Sequence, residues 1–198
     1  MKNFVFWVFA IGLLAVACQD NPNPPPTTAG TAGTDSTKNF FPVADYLRSE
    51  IRYVDSTPLA IEVYHIQGSK TDSVFIQASA FNLLAKEFLP SELDSPAFER
   101  NFSEVSFFDQ TTNSLTFSYT AKSNTGRLRR VDVIATQRSG FDKVKSIYME
   151  ERINNKDSLV TKKMYWKPKK SFLVLTISQT GDLPRVNRQL KVVWDAGD

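Results

Sequence analysis

The chain has one cysteine, Cys18, and one histidine, His65. One thiol cannot close an intramolecular disulfide, and one imidazole with no thiolate beside it cannot supply a multi-histidine metal site. The eight glycines are scattered, so no phosphate cradle exists. There is no Gly-x-Ser-x-Gly turn for a serine nucleophile, and no spaced run of aspartates matches a calcium loop. Hydrophobic runs are short as well. The apolar stretch at residues 4–16 falls below the about 20 residues that a spanning helix needs. Neither a cofactor nor a metal is expected.

What the N-terminus does hold is ordered. Lys2 precedes the apolar run, and residues 14–18 read Leu-Ala-Val-Ala-Cys. A basic start, a short apolar run and small residues before a cleavage point are the layout of a secretory signal peptide. Residues 14–18 resemble the lipobox of bacterial lipoproteins, with Ala15 standing where that family most often has Leu. The resemblance implies cleavage before Cys18 and diacylation of Cys18, which would then anchor the chain to a membrane. One acyl chain anchors marginally, whereas two or three on one residue hold permanently. Gln19 directly after the cysteine, with Asp20 following, implies by the same resemblance the outer membrane, on its periplasmic or surface side, and is similar to Bacteroidota-type lipoproteins.

Residues 18–39 are expected to be the lipidated cysteine and a disordered tether. After Cys18 this stretch is built of Pro, Thr, Gly, Asn and Asp, with no aliphatic side chain larger than Ala. Such a stretch cannot bury enough apolar surface to offset the entropy of ordering. Asp35-Ser36-Thr37 resembles Bacteroidota O-glycosylation sites, which makes Ser36 a candidate acceptor, although Asp-Ser is also ordinary turn chemistry.

Residues 40–198 read as a single α+β domain. Val43, Leu47, Ile51 and Val54 recur at helical spacing behind Pro42, and a second helix is expected over 79–89, ended by Pro90. Strands are expected at 59–66 and, shorter, at 74–77. From Val105 onward the period changes to two, with strands near 105–107, 115–119, 128–137, 144–153, 158–166, 172–179 and 186–194. Turn residues between them predict an antiparallel β-sheet. The expected fold is two N-terminal helices packed on a curved antiparallel β-meander of about six to eight strands.

Charge is divided along the chain. Residues 19–121 carry 6 Lys/Arg against 13 Asp/Glu, and residues 122–198 carry 17 against 8. Arg127, Arg129, Arg130, Lys162, Lys163, Lys167, Lys169 and Lys170 form the candidate surface for an anionic partner: an envelope protein, a glycan or anionic lipid. Nucleic acid does not suit an exported, lipid-anchored domain. The plainer alternative is that these lysines are solvated and protect strand edges from aggregation. Tyr165-Trp166 could stack on a sugar, but Trp166 shares a face with Met164 and Val160, as a core residue would.

Three functions follow from these residues. The first is a non-catalytic binding or assembly module of the cell envelope. The second is a carrier of lipid or another apolar ligand in a cavity between sheet and helices. The third is a hydrolase, which requires two of Glu62, Glu104, Asp132, Glu150 and Glu151 to converge in a cleft. His65, alternating with Ile61 and Val63, reads as a structural strand residue.

Overall fold

The computed structural model describes residues 40–94, 96–136, 143–155, 158–180 and 183–195. Cys18 with its lipobox, the tether and Ser36 lie outside the described residues.

Among the described residues the sheet has nine strands, all antiparallel to their neighbours: β1 Ile61–Gln67, β2 Lys70–Ile76, β3 Phe102–Asp109, β4 Ser114–Ala121, β5 Leu128–Thr136, β6 Lys143–Asn155, β7 Ser158–Lys167, β8 Ser171–Thr180 and β9 Leu183–Val193. Their order is β2-β1-β9-β8-β7-β6-β5-β4-β3. Helix α1 is Val43–Ser56, α2 is Ala78–Ala85 and α3 is Ala97–Asn101, with 3-10 turns at Lys86–Phe88 and Ser91–Leu93.

This corrects the expected two helices on a meander of six to eight strands. Among the described residues the sheet has nine strands and there are three helices, the second shorter than expected. The segment Lys70–Ile76 forms a full strand because it pairs residue by residue with β1 around Gly68, whose φ of +60° suits a two-residue hairpin turn. Its polar sequence, Lys-Thr-Asp-Ser, shows no alternation, so periodicity could not reveal it. The hairpin β1–β2 also does not begin the meander. It docks on the last strand, with Val63 opposite Val192, and α2 and α3 lie in the connection from β2 to β3. The five-residue α3 is too short for a periodic signal. The helix expected to reach residue 89 stops as α-helix at Ala85 and tightens into the 3-10 turn.

One face of the sheet is the core face. A row of residues in direct register crosses seven strands: Phe117, Val133, Ile147, Trp166, Phe172, Val192 and Val63. All but Phe117 are buried. Phe81 and Phe88 press onto this row. Phe88 stands 5.1 Å from Trp166 and 5.2 Å from Phe172 between ring centroids, and Phe81 stands 5.2 Å from Trp194. A second aromatic group, Phe40, Phe98, Phe102 and Tyr119, closes the side toward β3 at 4.7–5.5 Å. There the Tyr119 hydroxyl accepts the Phe41 N–H at 2.9 Å, and burial holds that hydroxyl's pKa well above the usual tyrosine value. Edge-to-face and tilted rings at these spacings add to the area they bury.

Helix α1 buries Val43, Ala44, Leu47, Glu50 and Val54. The stripe read from sequence included Ile51, which is half-buried, and omitted Glu50, which is 6 % exposed. A buried carboxylate needs a donor. Glu50 finds one in the turn between β7 and β8, and that contact positions the site.

Candidate functional site

The turn between β7 and β8 is Lys167-Pro168-Lys169-Lys170. It closes with the Lys170 N–H donating to the Lys167 carbonyl at 3.1 Å. Pro168 suits the second position, and the third requires positive φ, for which Gly or Asn is the usual choice. Here Lys169 occupies it at φ +58°. A left-handed lysine costs about 1–2 kcal/mol. Two contacts offset this: the Lys169 N–H donates to Glu50 Oε2 at 2.7 Å, and the ammonium sits 5.2 Å above the Tyr53 ring.

Two further irregularities stand nearby. Asn113, in the turn between β3 and β4, has φ +48°. Asp109 shapes that turn by accepting the Thr111 N–H and the Thr112 hydroxyl, each at 2.8 Å, and the Thr112 and Thr111 bonds hold its carboxyl below the ordinary range. On β6 the register shifts so that Val144 faces Ala135 while Ser146 faces Ile134, which makes Lys145 the bulged residue. A bulge re-aims a side chain. The Lys145 ammonium donates to Ser114 Oγ at 2.7 Å and to the Thr112 carbonyl at 3.4 Å.

These features surround one groove of about 970 Å³ at the end of the sheet. Lys143, Lys145, Lys167, Lys169 and Lys170 line it, with Tyr46, Tyr165, Asn113, Glu50 and Asp195. Both positive-φ residues other than glycine among the described residues are on its wall. Asn113 tolerates this region but Lys169 does not, and strained backbone clusters where a side chain is needed in a particular place. The ammoniums of Lys143 and Lys167 have no ion-pair or hydrogen-bond partner among the described residues. The five lysines outnumber the carboxylates of Glu50 and Asp195 in the lining, so the groove keeps an excess of positive charge. Burial, and secondly the Glu50 carboxylate, push the Tyr46 pKa well above the usual value, which keeps its hydroxyl a neutral donor.

Of the residues proposed from sequence, Lys167, Lys169 and Lys170 meet in this groove, and the other five do not. Arg127 pairs with Glu151 at 3.2 Å, Arg130 with Asp132 at 2.8 Å and Lys162 with Glu87 at 2.8 Å. Arg129 donates to the carbonyls of Ser123 and Asn124. Lys162 and Lys163 are consecutive on a strand and point to opposite faces. Lys163 lies on the outer face, in a shallow depression with Glu150 and Arg152. Lys143, Lys145, Tyr46 and Glu50 were missed. The bulge that brings in Lys145 has no sequence signature, Lys143 lies between the two basic clusters, and Tyr46 and Glu50 belong to α1, far from them in the chain.

The five carboxylates do not form a catalytic pair. Glu62 is on β1, where it accepts the Tyr64 hydroxyl, and Glu104 is on the edge strand β3. Glu151 faces the core, opposite to Glu150. Asp132 and Glu150 share the outer face on adjacent strands, but each is held by its own guanidinium, Arg130 and Arg152. Glu150 also accepts the Tyr148 hydroxyl. Burial raises the carboxyl of Glu151, on the other face, where Arg127 pairs with it. His65 is exposed on β1, opposite Asp72 and Leu190.

Among the described residues no group of three or more His, Cys, Asp or Glu could hold a metal ion, and no helix is long and apolar enough to cross a membrane. Comparison with protein-family models, with curated proteins and with solved structures finds no match to the chain.

Proposed function

We propose that the chain is a lipid-anchored module of the bacterial outer membrane, joined through acylated Cys18 and the tether at residues 19–39, and that its folded domain binds an anionic partner without catalysis. The observation that carries the binding reading is the convergence of five lysines from two hairpins on one groove, at the site of a bulge and two left-handed turn residues. Solvated lysines that only protect strand edges need no strained backbone, and β7 and β8 are central strands, not edges.

A carrier of apolar cargo would need space between sheet and helices. Between α2 and the sheet that space is taken by the rings of Phe81, Phe88, Trp166, Phe172 and Trp194, so no observation favours that reading.

The test uses the full chain in detergent micelles and an immobilised polyanion. Retention should be strong at low salt, should fall as salt screens it, and should be lost in Lys143→Glu/Lys145→Glu/Lys167→Glu. Lys163→Glu/Lys191→Glu, on the outer face, is the control. Equal loss in both variants would mean net charge is responsible, and the groove would have no role. The anchor is tested separately by metabolic labelling with an acyl-chain analogue, which Cys18→Ala should abolish.

A further inference from the structure

From the lysine groove a shallow trough of about 420 Å³ continues over the outer face of the sheet. The two share Thr112, Lys145 and Tyr165, and the trough runs on past Ser146, Ile134 and Thr116 to Phe107. Phe107, Thr116, Ile134 and Ser146 stand in direct register across β3, β4, β5 and β6, so the trough crosses the strands at right angles. From Phe107 on β3 to Tyr165 on β7 is four strand intervals, about 19 Å at the usual spacing. Phe107 is 56 % exposed and Tyr165 42 % exposed, and the half-buried Thr116 side chain lies between them, while Ser114 and Ser146 are buried.

We infer that the anionic partner is an acidic oligosaccharide, with its carboxylates or phosphates on the groove lysines and its sugar rings along this trough. The inference rests on the proposed binding function of the groove. Ring faces and hydroxyls are what a sugar needs. The C–H face of a pyranose is apolar and lies on an aromatic ring, while its edge hydroxyls exchange hydrogen bonds with side-chain hydroxyls. An acidic peptide fits less well. Extended peptides gain affinity by adding main-chain hydrogen bonds to a free strand edge. In the trough the peptide groups of β4, β5 and β6 are already paired on both sides, so a peptide laid across them would find only side chains.

The experiment compares hexagalacturonate with hexaglutamate, probes of equal formal charge, by calorimetric titration of the full chain in micelles. Hexagalacturonate should bind about tenfold more tightly, the scale expected for two aromatic contacts. Phe107→Ser, outside the lysine groove, should cut that preference to about threefold, the share of one aromatic contact, and leave hexaglutamate binding unchanged. The Phe107 side chain is exposed, and an unchanged melting temperature would show that the fold is kept. Equal affinity for both probes, or a preference undiminished in Phe107→Ser, overturns the sugar assignment while the groove reading stands. If neither probe binds, the groove reading fails as well.

Discussion

Glu50 links the stability of the domain to the charge of its groove, and the two can be separated by substitution. Its carboxylate is buried and accepts the Lys169 N–H at 2.7 Å. A hydrogen bond to a charged group contributes about 1.5–3 kcal/mol, and stranding a buried donor costs about 1–3 kcal/mol. Glu50→Ala removes the acceptor and leaves the strained turn without its main offset, so it should destabilise by about 3 kcal/mol. Glu50→Gln keeps a carbonyl acceptor of the same length and should cost about 1 kcal/mol. For a domain of this size 1 kcal/mol moves Tm by about 2–4 °C. The expected falls are therefore about 6–12 °C for Ala and about 2–4 °C for Gln, read by thermal denaturation. Anion binding should move the other way. Removing a negative charge about 10 Å from a ligand charge, at an effective dielectric between 20 and 80, favours binding by roughly 0.4–1.7 kcal/mol. Glu50→Gln should thus bind a polyanion several-fold more tightly while being less stable. Equal destabilisation by Gln and Ala would refute the proposed hydrogen bond. Unchanged or weaker binding in Gln would refute the placement of Glu50 in the anion's field.

The other predictions concern the turn, the core and the buried charge. Lys169→Asn should hold or slightly raise Tm, because Asn tolerates the left-handed region, while weakening polyanion binding; a large loss of stability would show that the turn is not strained. Trp166→Ala should cost about 3–5 kcal/mol. Trp166→Phe should cost under about 1.5 kcal/mol, since the buried indole N–H has no partner to lose. Denaturant unfolding separates these, and equal costs would point to an unseen acceptor. Burial raises the Glu151 carboxyl above its ordinary 4.5, against the pull of Arg127 and Lys162. The folded state therefore holds this proton to higher pH than the unfolded chain does, and the contribution to stability declines as pH rises from 4.5 through the folded value. Glu151→Gln should flatten that part of the stability profile; parallel profiles would contradict the assignment.

Much of the fold could be read where burial imposes a period. The strands from β4 to β8 carry alternating apolar residues because one face meets the helices, and Met164 and Trp166 are core residues as their alternation with Val160 indicated. As an edge strand β2 needs little burial, so most of its length carries no pattern. Strict alternation from Leu190, Val192 and Trp194 would carry Val186 to the core face, but a register shift beside Ile177 moves it outward, where it is half exposed. One-residue bulges invert faces without leaving a residue-type signal, and the same kind of shift hid Lys145. The basic run was visible as composition. Which of its members are paired was not, because Arg127 and Lys162 find their carboxylates on other elements, 24 and 75 positions away, and Arg130 finds Asp132 two along its own strand.

The central claim is that the anion binds at the end of the sheet where the lysines meet, and residue-resolved lysine acetylation measures this directly. The full chain is modified with and without saturating polyanion, and the protection of each lysine is read by mass spectrometry. Lys143, Lys145, Lys167 and Lys169 should be protected together, while Lys163 and Lys191 on the outer face keep their reactivity. Protection spread evenly over all exposed lysines, or confined to Lys163 and Lys191, would contradict the account.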